Sequence, residues 1–252
     1  MQKTYYDNKL NHLFIADADI WEKNGSYKLG ISGAVANPKN FVQLSFNKIK
    51  YFKTKITDKS FDNDMQPRTF NRLLFFNFNL AFVFKYTDES TYTSTYENIA
   101  DDELLIKFKS GFLKKQQASI AGELIYNIKT KAITYIKWTA TQDITRKTKT
   151  NSEIHSSQFT SEFRVFSYQG KYIPSLLNYS AEGYITKEND TRKHNYLAKG
   201  IVQYGKLNPA TDNRLKNSID ITKPLSNNIP SKVISSSDIL LSKEEQKFID
   251  ER

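Results

Sequence analysis

The segment SIAGELIYNIKTKAITYIKW, residues 119–138, constrains the fold more than any other stretch of this chain. Ile120, Gly122, Leu124 and Tyr126 recur at every second position, the polar run 127–131 interrupts them, and alternation resumes from Ala132. A period of two puts successive side chains on opposite sides of an extended backbone, so the segment predicts a β-hairpin. On its second arm Ala132, Thr134, Ile136 and Trp138 are expected on one face, and Ile133 and Tyr135 on the other.

The same period recurs along most of the chain between about residues 27 and 205. Phe76, Phe78, Leu80, Phe82 and Phe84 alternate, with Asn77 and Asn79 opposite. LLIKFKS (104–110), FTSEFRVF (159–166) and NYLAKGIVQYG (195–205) continue the series. In the second of these Phe159, Phe163 and Val165 read as inward, Glu162 and Arg164 as outward. Polar connectors such as TDEST, NIKTKA and TKENDTRKHN separate the runs. The expected fold is mainly β: a large curved antiparallel sheet or half-barrel meander with one buried face. Composition agrees, because 17 Phe and 15 Tyr outnumber 9 Gly and favour strands, and 252 residues suffice for a substantial core.

Two regions depart from period two. In NKLNHLFIADADIWEK, Leu10, Leu13, Phe14 and Ile20 or Trp21 could share a helical face, which suggests a short helix at about 8–20. From 208 onward Pro209, Pro224 and Pro230 among many Ser and Asn indicate a loop-rich extension. It ends in SKEEQKFIDER, where Ser242 and Glu245 have capping-box spacing and predict a short helix. The expected organisation is therefore a single antiparallel β domain over 1–207 and a C-terminal extension over 208–252. Ile219, Leu225, Leu240 and Phe248 are the extension's apolar anchors, and they are candidates for docking onto a partner.

The residues offer little for catalysis. Without Cys there is no thiol chemistry, no thiolate metal site and no disulfide. His12, His155 and His194 are isolated, and no metalloprotease, phosphate-loop, dinucleotide or serine-hydrolase motif occurs. The acidic stretches DAD (17–19) and FDNDMQ (61–66) lack the offsets of a calcium loop. No cofactor, no metal and no enzymatic activity are expected. The net charge of +10 could attract an acidic partner, yet its densest groups, Lys48, Lys50, Lys53, Lys55 and Arg146, Lys147, Lys149, form no continuous tract. A solvated lysine-rich surface is the simpler account, and nucleic acid is not an expected partner. The longest apolar stretch, residues 73–84, is too short for a spanning helix, so an integral helical membrane protein is not expected.

Residues 119–138 resemble a sheet module of Bacteroidota cell-envelope proteins, the segment that follows a carboxypeptidase-like regulatory domain. The resemblance rests on Ile120, Gly122, Leu124 and Tyr126, a turn over 127–131, then Ala132, Ile133 and Ile136. FVFKYTD and ELLIKFKS upstream and YQGKYIPSLLNYSAEG downstream extend it to about residues 75–185. Asn127 stands where the turn usually carries Asp. The resemblance implies a sheet similar in build to curved lipoprotein carriers, and an envelope setting: periplasm or outer-membrane surface if a signal sequence has been removed, cytoplasm if residue 1 is the natural start.

The favoured function is thus a non-catalytic envelope module that binds a protein partner or packs in a larger assembly. The alternative is a carrier for an acyl chain or other apolar ligand on the concave side of the sheet. Leu124, Tyr126, Ile136, Trp138, Phe159 and Phe163 would then either line that site or form the core face.

Overall fold

The computed structural model describes residues 1–22, 42–55, 83, 92–114, 117–147, 151–188, 190–205, 215–220, 228–229, 232–234 and 239–251. Phe76, Phe78, Leu80, Phe82 and Phe84 all lie outside these residues; Val83, the one described residue of that stretch, is helical and buried. The described elements are β1 (Gln2–Tyr6), β2 (Lys9–Glu22), β3 (Val42–Thr54), β4 (Tyr92–Ala100), β5 (Glu103–Leu113), β6 (Ala118–Asn127), β7 (Ala132–Lys147), β8 (Glu153–Tyr168), β9 (Lys171–Lys187), β10 (Asp190–Gln203), β11 (Lys232–Ile234) and helix α1 (Lys243–Asp250). Among the described elements the fold is mainly β and antiparallel, as the alternation predicts, and a short helix lies near the C-terminal end. The chain divides into two compact units. One comprises Met1–Phe78, Thr148–Thr150 and Asn208–Arg252, the other Asn79–Lys147 and Asn151–Leu207.

In the first unit the strand order is β11-β3-β2-β1. β1 and β2 are joined by Asp7 and Asn8, both left-handed (φ 47° and 62°), the conformation a two-residue hairpin turn requires. The expected helix at 8–20 is not formed; Asn8 belongs to the turn and residues 9–20 to the fourteen-residue strand β2. The reason is a bulge. Tyr5 pairs with Leu10 and Thr4 with His12, leaving Asn11 as an extra residue. The extra residue returns Leu10 to the face of Leu13 and Ile15, so a strand acquires the three-residue apolar spacing of a helix.

Both faces of this sheet are covered. On one, Leu10, Leu13, Ile15 and Tyr51 bury against Phe248 and Ile249 of α1, with Tyr5, Ile239 and Leu241 at the margin. On the other, Phe14 and Phe52 pack with Ile229, flanked by Phe46, Ile49 and Val233. α1 starts in the capping box read from the sequence. The Ser242 hydroxyl accepts from the Glu245 N–H (3.2 Å), and Glu245 accepts from the Ser242 N–H (2.6 Å). Burial alone would push the Glu245 carboxyl up, but Lys3 and the Ser242 donors together hold it below its ordinary value. The helix ends on Lys53, whose ammonium donates to the carbonyls of Phe248, Ile249 (3.2 Å) and Glu251. A cation there meets the negative end of the helix.

The second unit is a seven-stranded meander, β10-β9-β8-β7-β6-β5-β4. Its buried face runs through Phe108, Ile120, Leu124, Ile136, Trp138, Phe163, Leu177, Tyr179 and Tyr196. Gly122 lies opposite both Phe108 and Trp138. A Cβ there would sit 2.7 Å from the Phe108 ring and 2.4 Å from the Lys137 carbonyl oxygen, so glycine makes room for the aromatic side chain. One facing expectation is corrected. Ile125 pairs with Tyr135 and Tyr126 with Ile133, which leaves Thr134 as a bulge. Ile133 therefore shares the face of Ile136 and does not lie with Tyr135, and Ala132, opposite Asn127, leaves the face of Ile136, because one extra residue inverts the parity of everything beyond it.

Candidate functional site

The hairpin ends of the second unit form the most distinctive surface among the described residues. β7 and β8 pair only as far as Tyr135 opposite Arg164. β6 and β7 continue together to Asn127 opposite Ala132, and β8 and β9 to Tyr168 opposite Lys171. The two hairpin tips therefore separate, and an open cleft of about 620 Å³ lies between them. Local sequence explains the separation. Thr134 is the bulge on β7, and Ser175 is an extra residue on β9 beside Pro174. Pro174 lacks a backbone donor, and it lies just past the point where β9 pairs with β10, at Leu176 opposite Gln203.

Ile125 and Val165 contribute apolar surface to the cleft, Tyr135 and Tyr172 aromatic surface, and Glu103, Asn127 and Arg164 polar groups. Most of the polar groups are already held. Arg164 donates from Nε (3.0 Å) and Nη2 (2.8 Å) to Glu162, and its guanidinium lies 5.1 Å from the centre of the Tyr135 ring. The Tyr135 hydroxyl donates to Glu123 (3.2 Å); burial, followed by the Glu123 and Glu162 carboxylates, pushes it up to about 12. Asn127 accepts from the N–H and hydroxyl of Thr130 (2.9 and 2.8 Å), which shapes the turn. The Tyr172 hydroxyl donates to Thr130 across the gap. Around this frame Ile99, Ile128, Phe166, Tyr168 and Tyr172 are each 37–49% exposed. The arrangement contains a fixed cation, fixed rings and open apolar surface, and none of its groups forms a nucleophile–base pair.

The residues singled out in the sequence have other positions. Leu124, Ile136, Trp138 and Phe163 are buried on the opposite side of the sheet, Phe159 is half-buried with its ring 5.3 Å from Trp138, and Tyr126 is half-buried. Among the tail anchors, Phe248 belongs to the core of the first unit. Ile219 is half-buried and donates its backbone N–H to Leu44 (2.8 Å), Leu240 is 97% exposed, and Leu225 lies outside the described residues. The basic group on and just after β3 is largely matched within the chain: Lys50 pairs with Asp17 (2.8 Å), Lys53 caps α1 and Lys55 pairs with Glu251.

The histidines do not converge. His12 is fully buried, edge-on to Phe52, with neither ring nitrogen hydrogen-bonded among the described residues; burial pushes it down to about 4. His155 stacks on Tyr184 and meets Thr145, and His194 meets Asp190 (3.1 Å). No group of three or more metal-ligating side chains occurs among the described residues, and no described helix is long and apolar enough to cross a membrane.

Compared with protein-family models, with curated proteins and with solved structures, the chain matches none.

Proposed function

We propose that this protein is a non-catalytic cell-envelope module that binds a protein partner through the hairpin tips of its second unit. One observation carries the reading: five large apolar side chains stand partly exposed at one end of the sheet, beside an arginine held in place by Glu162. Aromatic residues and arginine dominate the energetics of protein interfaces, and rings already positioned lose little entropy on docking. The envelope setting, periplasmic or at the outer-membrane surface, is supported by the resemblance of residues 75–185 to the modules named above. The carrier reading has less support, because protein already buries Leu124, Ile136, Trp138 and Phe163, the side chains that would line its ligand site.

Site-specific photo-crosslinking in cells tests the proposal. A photoreactive residue at Phe166 should give a discrete protein adduct, and one at exposed Lys137 on β7 should give none. Adducts of lipid mass would favour the carrier. No adduct from Ile128, Phe166 or Tyr168 would sink the docking surface.

A further inference from the structure

The outer strand of the second unit, β4, is unlike β11, the outer strand of the first. β4 is nine residues long, pairs only with β5 among the described residues, and is exposed at every position after Tyr92. Its sequence, YTSTYENIA, contains no proline and no basic residue, and its one irregularity comes near the end, between Asn98 and Ala100. β11, the edge of the first unit, has three residues and begins with Lys232. Natural sheets blunt their edges by such shortness and by lysine, because a long bare edge presents unpaired N–H and C=O groups to another strand. β4 has neither protection, and its Thr, Tyr and Ile residues favour further pairing.

We propose that β4 is a self-association edge, where two copies of this chain pair antiparallel about a two-fold axis through Tyr96. The occupant is argued from charge and register. The strand has a single charge, Glu97, so a second copy meets like charge only in registers that oppose Glu97 to itself. The stretch 94–98, which pairs regularly with β5, is centred on Tyr96. In that register Tyr96 faces its own copy, Ser94 faces Asn98, and Thr95 faces Glu97. Thr95 already lies beside exposed Lys107 on β5, so each Glu97 enters a row that runs Lys107, Thr95, Glu97 of the other copy. Strands about 4.8 Å apart let the lysine side chain reach across the threonine to that carboxylate. Tyr96, 77% exposed beside Ile106, gains a ring partner. A cross-strand aromatic pair of this kind stabilises sheets. The inference shares only Ile99 with the hairpin-tip surface and does not rest on that reading.

The absence of cysteine makes the test direct. Directly opposed residues of an antiparallel pair have Cα atoms about 4.5–5.5 Å apart, within disulfide range. Tyr96→Cys, oxidised with copper–phenanthroline, should therefore give a covalent dimer in which two thiols lose two electrons and two protons to the oxidant. Thr93→Cys, three residues from the axis, should give no covalent dimer. In sedimentation equilibrium the unmodified chain should move from 29.2 kDa toward twice that mass as concentration rises, and Tyr96→Lys should stay at 29.2 kDa with an unchanged far-UV spectrum. A chain that stays monomeric throughout, or Thr93→Cys crosslinking as fast as Tyr96→Cys, overturns the proposal.

Discussion

Replacing Phe248 by alanine separates a tail that waits for a partner from one that completes its own domain. The Phe248 ring is buried against Leu10, Leu13, Ile15 and Tyr51, and the ammonium groups of Lys53 and Lys55 lie 5.0 and 5.4 Å from its centre. Truncating a buried phenylalanine costs about 3–5 kcal/mol in transfer and cavity terms, and a cation–π contact accounts for about 0.5–1 kcal/mol of such a loss. Typical domains hold about 5–15 kcal/mol, so the variant should retain a reduced margin and unfold early in urea. With a urea slope near 2 kcal/mol per molar, the midpoint should fall by about 2 M. The chain has two tryptophans, Trp21 in the first unit and Trp138 in the second. In a Trp138→Phe background, indole fluorescence reports the first unit alone. Leu240→Ala is the control, because that side chain is exposed and its loss should cost under about 0.5 kcal/mol. If Phe248→Ala melts with the control, α1 does not hold the first unit together and the core described above is wrong.

His12 makes a pH prediction. Its folded value of about 4 lies below the ordinary 6.5, so the unfolded state binds more protons between those values. Stability present above pH 6.5 should fall by about 3 kcal/mol as pH drops to 4, and His12→Phe should flatten that slope in Trp21-reported melts; equal slopes would refute the assignment. The Glu245 carboxyl, held below its ordinary value, keeps its contribution above pH 4.5 and loses it only as pH falls further, so acid titration of Glu245→Gln should separate the two windows. Gly122→Ala should cost about 1–3 kcal/mol by overpacking against Phe108 and the Lys137 carbonyl, while Gly111→Ala, with open space at that position, should leave Trp138-reported melts unchanged.

Period-two alternation in β5–β10 is visible in the sequence because each strand has one buried face. What alternation does not convey is where it breaks. Bulges at Asn11 and Thr134 each add one residue, which turned β2 into an apparent helix and put Ile133 on the wrong face. The Asp7–Asn8 turn, both residues types that tolerate left-handed backbone, is the local signal that could have identified the β1–β2 hairpin. Pro174 inside a strand is the comparable signal for the cleft. The cap on α1 has no such marker: Lys53 lies in a run with Lys48, Lys50 and Lys55, and its partner carbonyls lie almost two hundred residues away. The capping box was legible because both partners lie within four residues.

The first unit is assembled from chain on either side of the second, and this orders its synthesis. Residues 79–147 and 151–207 leave the ribosome as nearly continuous chain, and their strands pair with sequence neighbours, so the meander can close while translation proceeds. β2 and β3 emerge first but cannot bury Leu13 and Tyr51 against Phe248 until almost two hundred further residues have been made. Long loop closure of this kind slows folding. During that interval the apolar face of β2 is exposed on the nascent chain, and a chaperone that binds extended apolar segments has its longest opportunity there.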